Sequence, residues 1–138
     1  MILKPLYLTE QDRQRLQNLI EVGRTRHNGH ASYLDDLERE VSRSSVVDRQ
    51  SLPSDVVTMN SRVRLRDMDS GENEIYTLVY PSMADHAENR ISVLAPVGTA
   101  IVGSRVGDVI EWPVPAGRRR LLVEDVVYQP EKAGAVDL

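Results

Sequence analysis

The stretch GTAIVGSRVGDVIEW (residues 98–112) places Gly98 and Gly103 at the glycine spacing of a phosphate-cradling P-loop. How it is read decides the fold class. A P-loop needs a lysine directly after its second glycine, and then a hydroxyl for Mg²⁺. Ser104 and Arg105 stand there instead. A P-loop also follows a buried parallel strand and opens a helix in a βαβ unit. Here ISVLA (91–95) reads as a strand closed by Pro96, and VGTAIVGSRV leaves room for a short helix only. GDVIEWPV (107–114) then reads as another strand, and Pro113 confines its end to a sheet edge because proline cannot donate to a ladder. The stretch is therefore a joint in an antiparallel sheet and not a nucleotide cradle.

Outward from this joint, the pattern stays that of strands. Ala116-Gly117 turns the chain into RRRLLVEDVVY (118–128), a further strand, and the tail QPEKAGAVDL shows no strong pattern. On the other side, VVTMNSRVRLRD (56–67) puts Val57, Met59, Val63 and Leu65 on one parity and Thr58, Asn60, Arg62, Arg64 and Arg66 on the other. That alternation predicts a half-buried strand with a basic outer face. Asp69-Ser70-Gly71 is a turn signal, EIYTLVY (74–80) a strand ended by Pro81, and SMADHAENR a polar connection with space for a helical turn.

Before Pro53 the period changes. Thr9, with Asp12 three residues on, is a helix-start signal, and Leu16, Leu19, Ile20 and Gly23 follow on one face. Asn28-Gly29 marks a turn; Ser32 and Asp35 mark a second start, with Leu34, Leu37 and Val41 on one side. Two such helices form an antiparallel hairpin. Its narrow stripes suit the seam of a projecting, coiled-coil-like arm; the alternative is that they face the sheet's core. The expected fold is α+β: a helical hairpin over 1–52 and an antiparallel sheet domain with one short helix over 53–138.

Composition narrows the function classes. The 138 residues hold 17 Lys+Arg against 21 Asp+Glu, a net charge of −4, which disfavours sequence-specific DNA binding, since phosphate neutralisation wants a basic surface. Cysteine is absent, which removes disulfides and thiolate metal sites. Lys4 and Pro5 interrupt the apolar start, and no stretch approaches the ~18 apolar residues of a membrane span. A soluble, cytoplasmic protein with no metal or cofactor is expected.

With these residues laid out, the chain from about 55 to 130 resembles the carboxy-terminal domain of the Gre transcript-cleavage factors. The likeness runs through VVTMNSRVRLRD, DSGENEIYTLVYP and RISVLAPVGTAIVGSRVGDVIEWPVPAGRRRLLVEDVVYQP, and includes the turn A-[IL]-[VL]-G-x-x-V-G-D. VVTMNSRV, LVYP and the short hairpin resemble the Rnk branch of that superfamily. The resemblance implies an FKBP-like sheet domain and binding to bacterial RNA polymerase at the rim of its secondary channel. In Gre factors the rim contact uses the loop before the short helix, so Leu94, Ala95, Pro96 and Val97 take that role here. Alanine stands where a serine normally precedes the proline. Gly98, Gly103 and Gly107 are expected to let the short helix start, stop and turn back into a strand, Gly107 at positive φ.

Gre chemistry needs two carboxylates in a D-x-x-E arrangement at the arm's tip, holding a second Mg²⁺ that activates water. The tip here, around Arg26, His27, Asn28, Gly29 and His30, carries no acid. Asp35 and Glu38 fit D-x-x-E, with Asp36 beside them, but sit inside the second helix, where charges at this spacing ordinarily make a solvated face. Helices of about 12–17 residues reach only ~18–25 Å at 1.5 Å per residue. A non-enzymatic competitor of Gre-type factors is therefore expected, with cleavage through Asp35, Asp36 or Glu38, or a polymerase-independent interaction module, as the alternatives. His27 and His30 could charge the tip as pH falls, while His86 lies in a polar loop without partner ligands. Prolyl isomerase activity is disfavoured, because a chain with no Phe and one Trp lacks the materials of an aromatic pocket. Arg62, Arg64 and Arg66 would form a basic contact face, extended by Arg118-Arg119-Arg120 if the strand those begin is a neighbour.

Overall fold

The computed structural model describes residues 5–26 and 32–134. His27, Asn28, Gly29 and His30 of the hairpin turn lie outside the described residues. A short strand β1 (Tyr7–Thr9) leads into α1 (Glu10–Arg26). The Thr9 hydroxyl accepts the Asp12 N–H at 3.2 Å, the cap expected from sequence. Glu10 and Asp12 occupy the first turn, Arg24 and Arg26 the last, so charge follows the helix dipole. Helix α2 (Ser32–Arg43) returns to β2 (Ser45–Val47), which pairs in parallel with β1 from Tyr7↔Ser45 to Thr9↔Val47. The hairpin thus serves as the crossover of a two-stranded parallel sheet. Sequence reading misses this pair, since three-residue strands are too short to show a period.

The main sheet has the order β5-β4-β3-β7-β6, built from β3 (Arg62–Asp67), β4 (Asn73–Val79), β5 (Arg90–Ser92), β6 (Val109–Val114) and β7 (Gly117–Tyr128). Strand β6 is an edge, as Pro113 requires. The expectation of a wholly antiparallel sheet needs correction: β4 and β5 are parallel, with Thr77↔Arg90 in register. Two 3-10 turns, Pro81–Met83 and His86–Glu88, carry the chain back along β4 before Asn89 turns it at φ 54°.

The predicted continuous strand from Val57 also breaks. Asn60 takes φ 68°, a conformation that asparagine tolerates better than most residues. The Thr58 N–H donates to Ser61 Oγ at 2.9 Å, closing a buried turn, so Thr58 is buried rather than outward-facing. The tail is ordered further than its sequence suggests. The buried Gln129 side chain donates to the carbonyls of Pro53 and Val56, both at 2.9 Å, ahead of α4 (Pro130–Ala133).

The apolar stripes of the hairpin resolve in favour of the core. Leu16 and Ile20 of α1, and Leu37 and Val41 of α2, lie in one buried cluster with Val57, Val63, Val93 and Val123 of the sheet side. Nearer the turn, the helices pack on each other: a Cβ on Gly23 would sit 3.0 Å from both methyls of the buried Leu34. The hairpin's base therefore belongs to the sheet's core, and its far end is held by its own seam.

Candidate interaction cleft

Helix α3 (Pro96–Ile101) starts at a proline whose fixed φ suits the first helical position. Ahead of it, Leu94 N–H donates to Ser92 Oγ and Ala95 N–H to Ser92 O, both at 3.0 Å. Thr99 closes the loop from above: its N–H donates to Ala95 O at 2.9 Å and its buried hydroxyl to Val93 O at 2.6 Å. These bonds hold Leu94–Val97 in one conformation, with Pro96 exposed and Leu94, Ala95 and Val97 half-buried. Gly98 lies within α3 rather than at its start, and its role is close approach: a Cβ there would overlap Ser92 O. Gly103 and Gly107 do end the helix and turn the chain, at φ 78° and 97°.

Ala95 is the N-cap, extended at φ −71°, ψ 151°, with no side-chain cap. Ala95→Ser is expected to supply one and raise stability by about 1 kcal/mol, read as a higher urea midpoint at unchanged slope.

This loop forms one wall of a cleft of about 520 Å³. The lining comprises Leu94, Pro96, Thr99 and Ala100, then Tyr33, Asp36, Arg39 and Glu40 of α2, with Glu111 of β6 and Pro115. Charged and apolar side chains share this lining, Asp36 pairing with Arg39 at 3.2 Å and Glu40 with Arg43 at 3.1 Å. Such a cleft can seat an apolar side chain of a protein partner and orient it through the rim. Sequence reading finds Leu94 and Pro96 but misses Tyr33, Arg39 and Glu40. Their signal is an aromatic ring and charges on α2 just off its apolar stripe.

The D-x-x-E pair does not face this cleft with Asp36. Arg24 Nη2 lies 2.9 Å from Asp35 Oδ1 and 3.0 Å from Glu38 Oε1, so the two acids clasp a guanidinium from α1. Asp36 lines the cleft instead. Among the described residues, no group of three His, Cys, Asp or Glu side chains is arranged to hold a metal ion.

The arginines do not merge into one basic face. Strands β3 and β7 are neighbours, but the register sets Arg62 opposite Tyr128 and Arg66 opposite Leu122, while Arg118–Arg120 pair with β6. Acids interleave throughout: Arg64 is 3.9 Å from Asp125, Arg66 2.6 Å from Glu124, Arg119 3.3 Å from Asp67 and Arg120 3.0 Å from Asp69. Arg118 pairs with Glu111. His86 is exposed in its 3-10 turn.

Residues 52–128 match the family model "Transcription elongation factor, GreA/GreB, C-term". The chain belongs to the GreA/GreB family. Residues 4–47 of this GreA/GreB member match a second model, the Rnk N-terminus. It is 46% identical over 101 residues to the "Regulator of nucleoside diphosphate kinase" of Escherichia coli K12, covering 72% of this chain and 74% of that one. Against "Transcription elongation factor GreA" of Clostridium beijerinckii it is 41% identical over 81 residues, 59% of this chain and 51% of that one, so it spans about half of that relative. A solved structure, "Prokaryotic transcription elongation factor GreA/GreB from Nitrosomonas europaea", superposes with a TM-score of 0.72 at 41% identity, covering 91% of this chain and all of that one. The GreA/GreB fold is thus a helical amino-terminal part on a mostly antiparallel sheet. No helix among the described residues is long and apolar enough to cross a membrane.

Proposed function

We propose that this GreA/GreB member is a cytoplasmic transcription regulator that binds bacterial RNA polymerase at the rim of the secondary channel. On this reading the Leu94–Val97 loop and its cleft are the docking surface, and the short hairpin partly blocks the channel. The protein then competes with Gre-type factors without stimulating transcript cleavage. The same reading treats residues 53–138 as an FKBP-like domain and residues 1–52 as a short coiled coil. The observation that carries it is the contrast between two sites. The loop is held by its own hydrogen bonds and presents Pro96 in the wall of a cleft, whereas Asp35 and Glu38 are tied to Arg24. Helix α1, with 17 residues, spans about 25 Å at 1.5 Å per residue, and the segment RHNGH (26–30) contains no carboxylate. A metal held by Asp35 and Glu38 would first have to displace a guanidinium.

The test uses a stalled, backtracked bacterial polymerase complex, with and without a Gre factor. The chain is expected to bind, to leave the RNA uncut and to suppress the Gre factor's cleavage. Pro96→Arg is expected to weaken binding at least about tenfold, or ~1.4 kcal/mol, because it replaces the exposed, rigid ring that opens α3 with a long, mobile charged side chain. Cleavage by this chain alone, lost in an Asp35→Asn/Glu38→Gln double variant, would move the function to a cleavage factor. Failure to bind polymerase would leave an interaction module with a different partner.

A further inference from the structure

Where α1 enters the sheet side, the structure buries a carboxylate that the docking surface does not use. Asp12 is 6% exposed, and its Oδ2 accepts the Met59 N–H at 3.2 Å. Met59 lies in a junction loop. Val57 N–H donates to Ser104 O at 2.7 Å, Asn60 N–H to Leu78 O at 2.6 Å, and Thr58 Oγ1 to Glu131 Oε1 at 2.7 Å. One hairpin side chain therefore grips the loop to which the segment after α3, β4 and α4 are all tied. The charges that act on Asp12 are Glu131 of α4, Arg15 of its own helix and Arg49 of the 3-10 turn Arg49–Ser51. Tyr80, just after β4, is also coupled to it: burial raises its phenol, and the Asp12 charge adds to that.

We propose that Asp12 is a proton-operated latch between hairpin and sheet, which fastens α1 more tightly when the carboxyl is neutral than when it is charged. Geometry gives the reason. The neutral acid keeps an oxygen for the Met59 N–H, yet removes an anion from a buried site near the Glu131 carboxylate. Burial, first, and Glu131, second, push the Asp12 carboxyl up to about 6, against the Met59 hydrogen bond and the two arginines. In the unfolded chain it returns to the ordinary value of 3.8. Between these values the folded chain holds a proton that the unfolded chain has lost, so stability falls as pH rises from about 4 through about 6 and is flat above. Acidification from neutral pH therefore fastens the latch. Two carboxyls oppose this at lower pH. Arg13 holds Glu10 below its usual range, and the Ser70 and Asp69 N–H groups hold Asp67 below its own. Both contributions fade only below about pH 4.5, where the unfolded-state carboxyls begin to take up protons.

The full chain is the sample, and three readouts are taken between pH 7.5 and 5.0. A ¹³C titration of the Asp12 carboxyl is expected to give a midpoint near 6. The unfolding equilibrium constant is expected to be roughly tenfold smaller at pH 5 than at pH 7, with amide exchange in α1 slowed after correction for the intrinsic rate. Asp12→Asn keeps an acceptor for Met59 and is expected to flatten the pH slope. Glu131→Gln keeps one for Thr58 and is expected to lower the Asp12 midpoint. An Asp12 midpoint in the ordinary carboxylate range overturns the latch, and so does a wild-type slope in the Asp12→Asn chain. Unchanged α1 protection across the titration also overturns it. If Asp12→Asn does not fold, the carboxyl titration of the unmodified chain decides alone.

Discussion

Gly98→Ala is expected to destabilise the chain by about 3 kcal/mol or more, at the upper end of overpacking effects. The added methyl would overlap Ser92 O and lie 2.9 Å from Val93 Cα, and both obstacles are backbone. No rotamer change relieves such a clash, so α3 must lift from β5. That movement strains the Thr99 hydrogen bond to Val93 O and the loop that presents Pro96. For a chain of this size the loss corresponds to a fall in Tm of about 10 °C or more, measured by thermal denaturation followed by circular dichroism. Gly107→Ala is the control: its φ of 97° strains any L residue, but nothing lies within 4 Å of the new methyl. Its cost is the left-handed penalty alone, about 1–2 kcal/mol. Equal effects at the two positions would refute the close-packing account of Gly98.

Leu37→Ala is expected to cost about 2–5 kcal/mol, the range for truncating a fully buried leucine. Leu37 is 0% exposed and lies in the cluster that joins the hairpin to Val57, Val63 and Val123. Because that core is shared, the loss should lower a single cooperative transition seen alike by far-ultraviolet circular dichroism and by fluorescence of Trp112 on β6. Separate folding of residues 1–52 and 53–138 would give a different result. The helical signal would melt early, and the Trp112 signal would keep its wild-type midpoint.

The Leu94–Val97 loop shows how far the candidate site can be read in advance. Leu94 and Pro96 are identified through a resemblance in the segment that carries them, and the structure puts both in the wall of one cleft. The opposite wall is hidden, because α2 lies far earlier in the chain and nothing in its local pattern says which strand or loop it will face. The acids show the converse. Their D-x-x-E spacing is visible, but the guanidinium between them comes from Arg24 on the other helix. Asn60 is a legible sign of the broken strand: an asparagine inside an alternating run can mark a left-handed break.

The sequence by itself determined the type and order of most elements. Side-chain periods, caps, glycines and prolines act within a few residues of themselves. The two amphipathic helices, the strands of the main sheet and the edge position of β6 all rest on such local chemistry. Only the tertiary structure decided the parallel pairs β1–β2 and β4–β5, the merging of the hairpin's base with the sheet's core, the interleaving of arginines with acids, and the burial of Asp12. Each of these depends on partners far apart in the chain, as with Met59 and Asp12, 47 residues apart, or Thr58 and Glu131, 73 apart. Such pairings are set by how the whole core closes, and no local period records them.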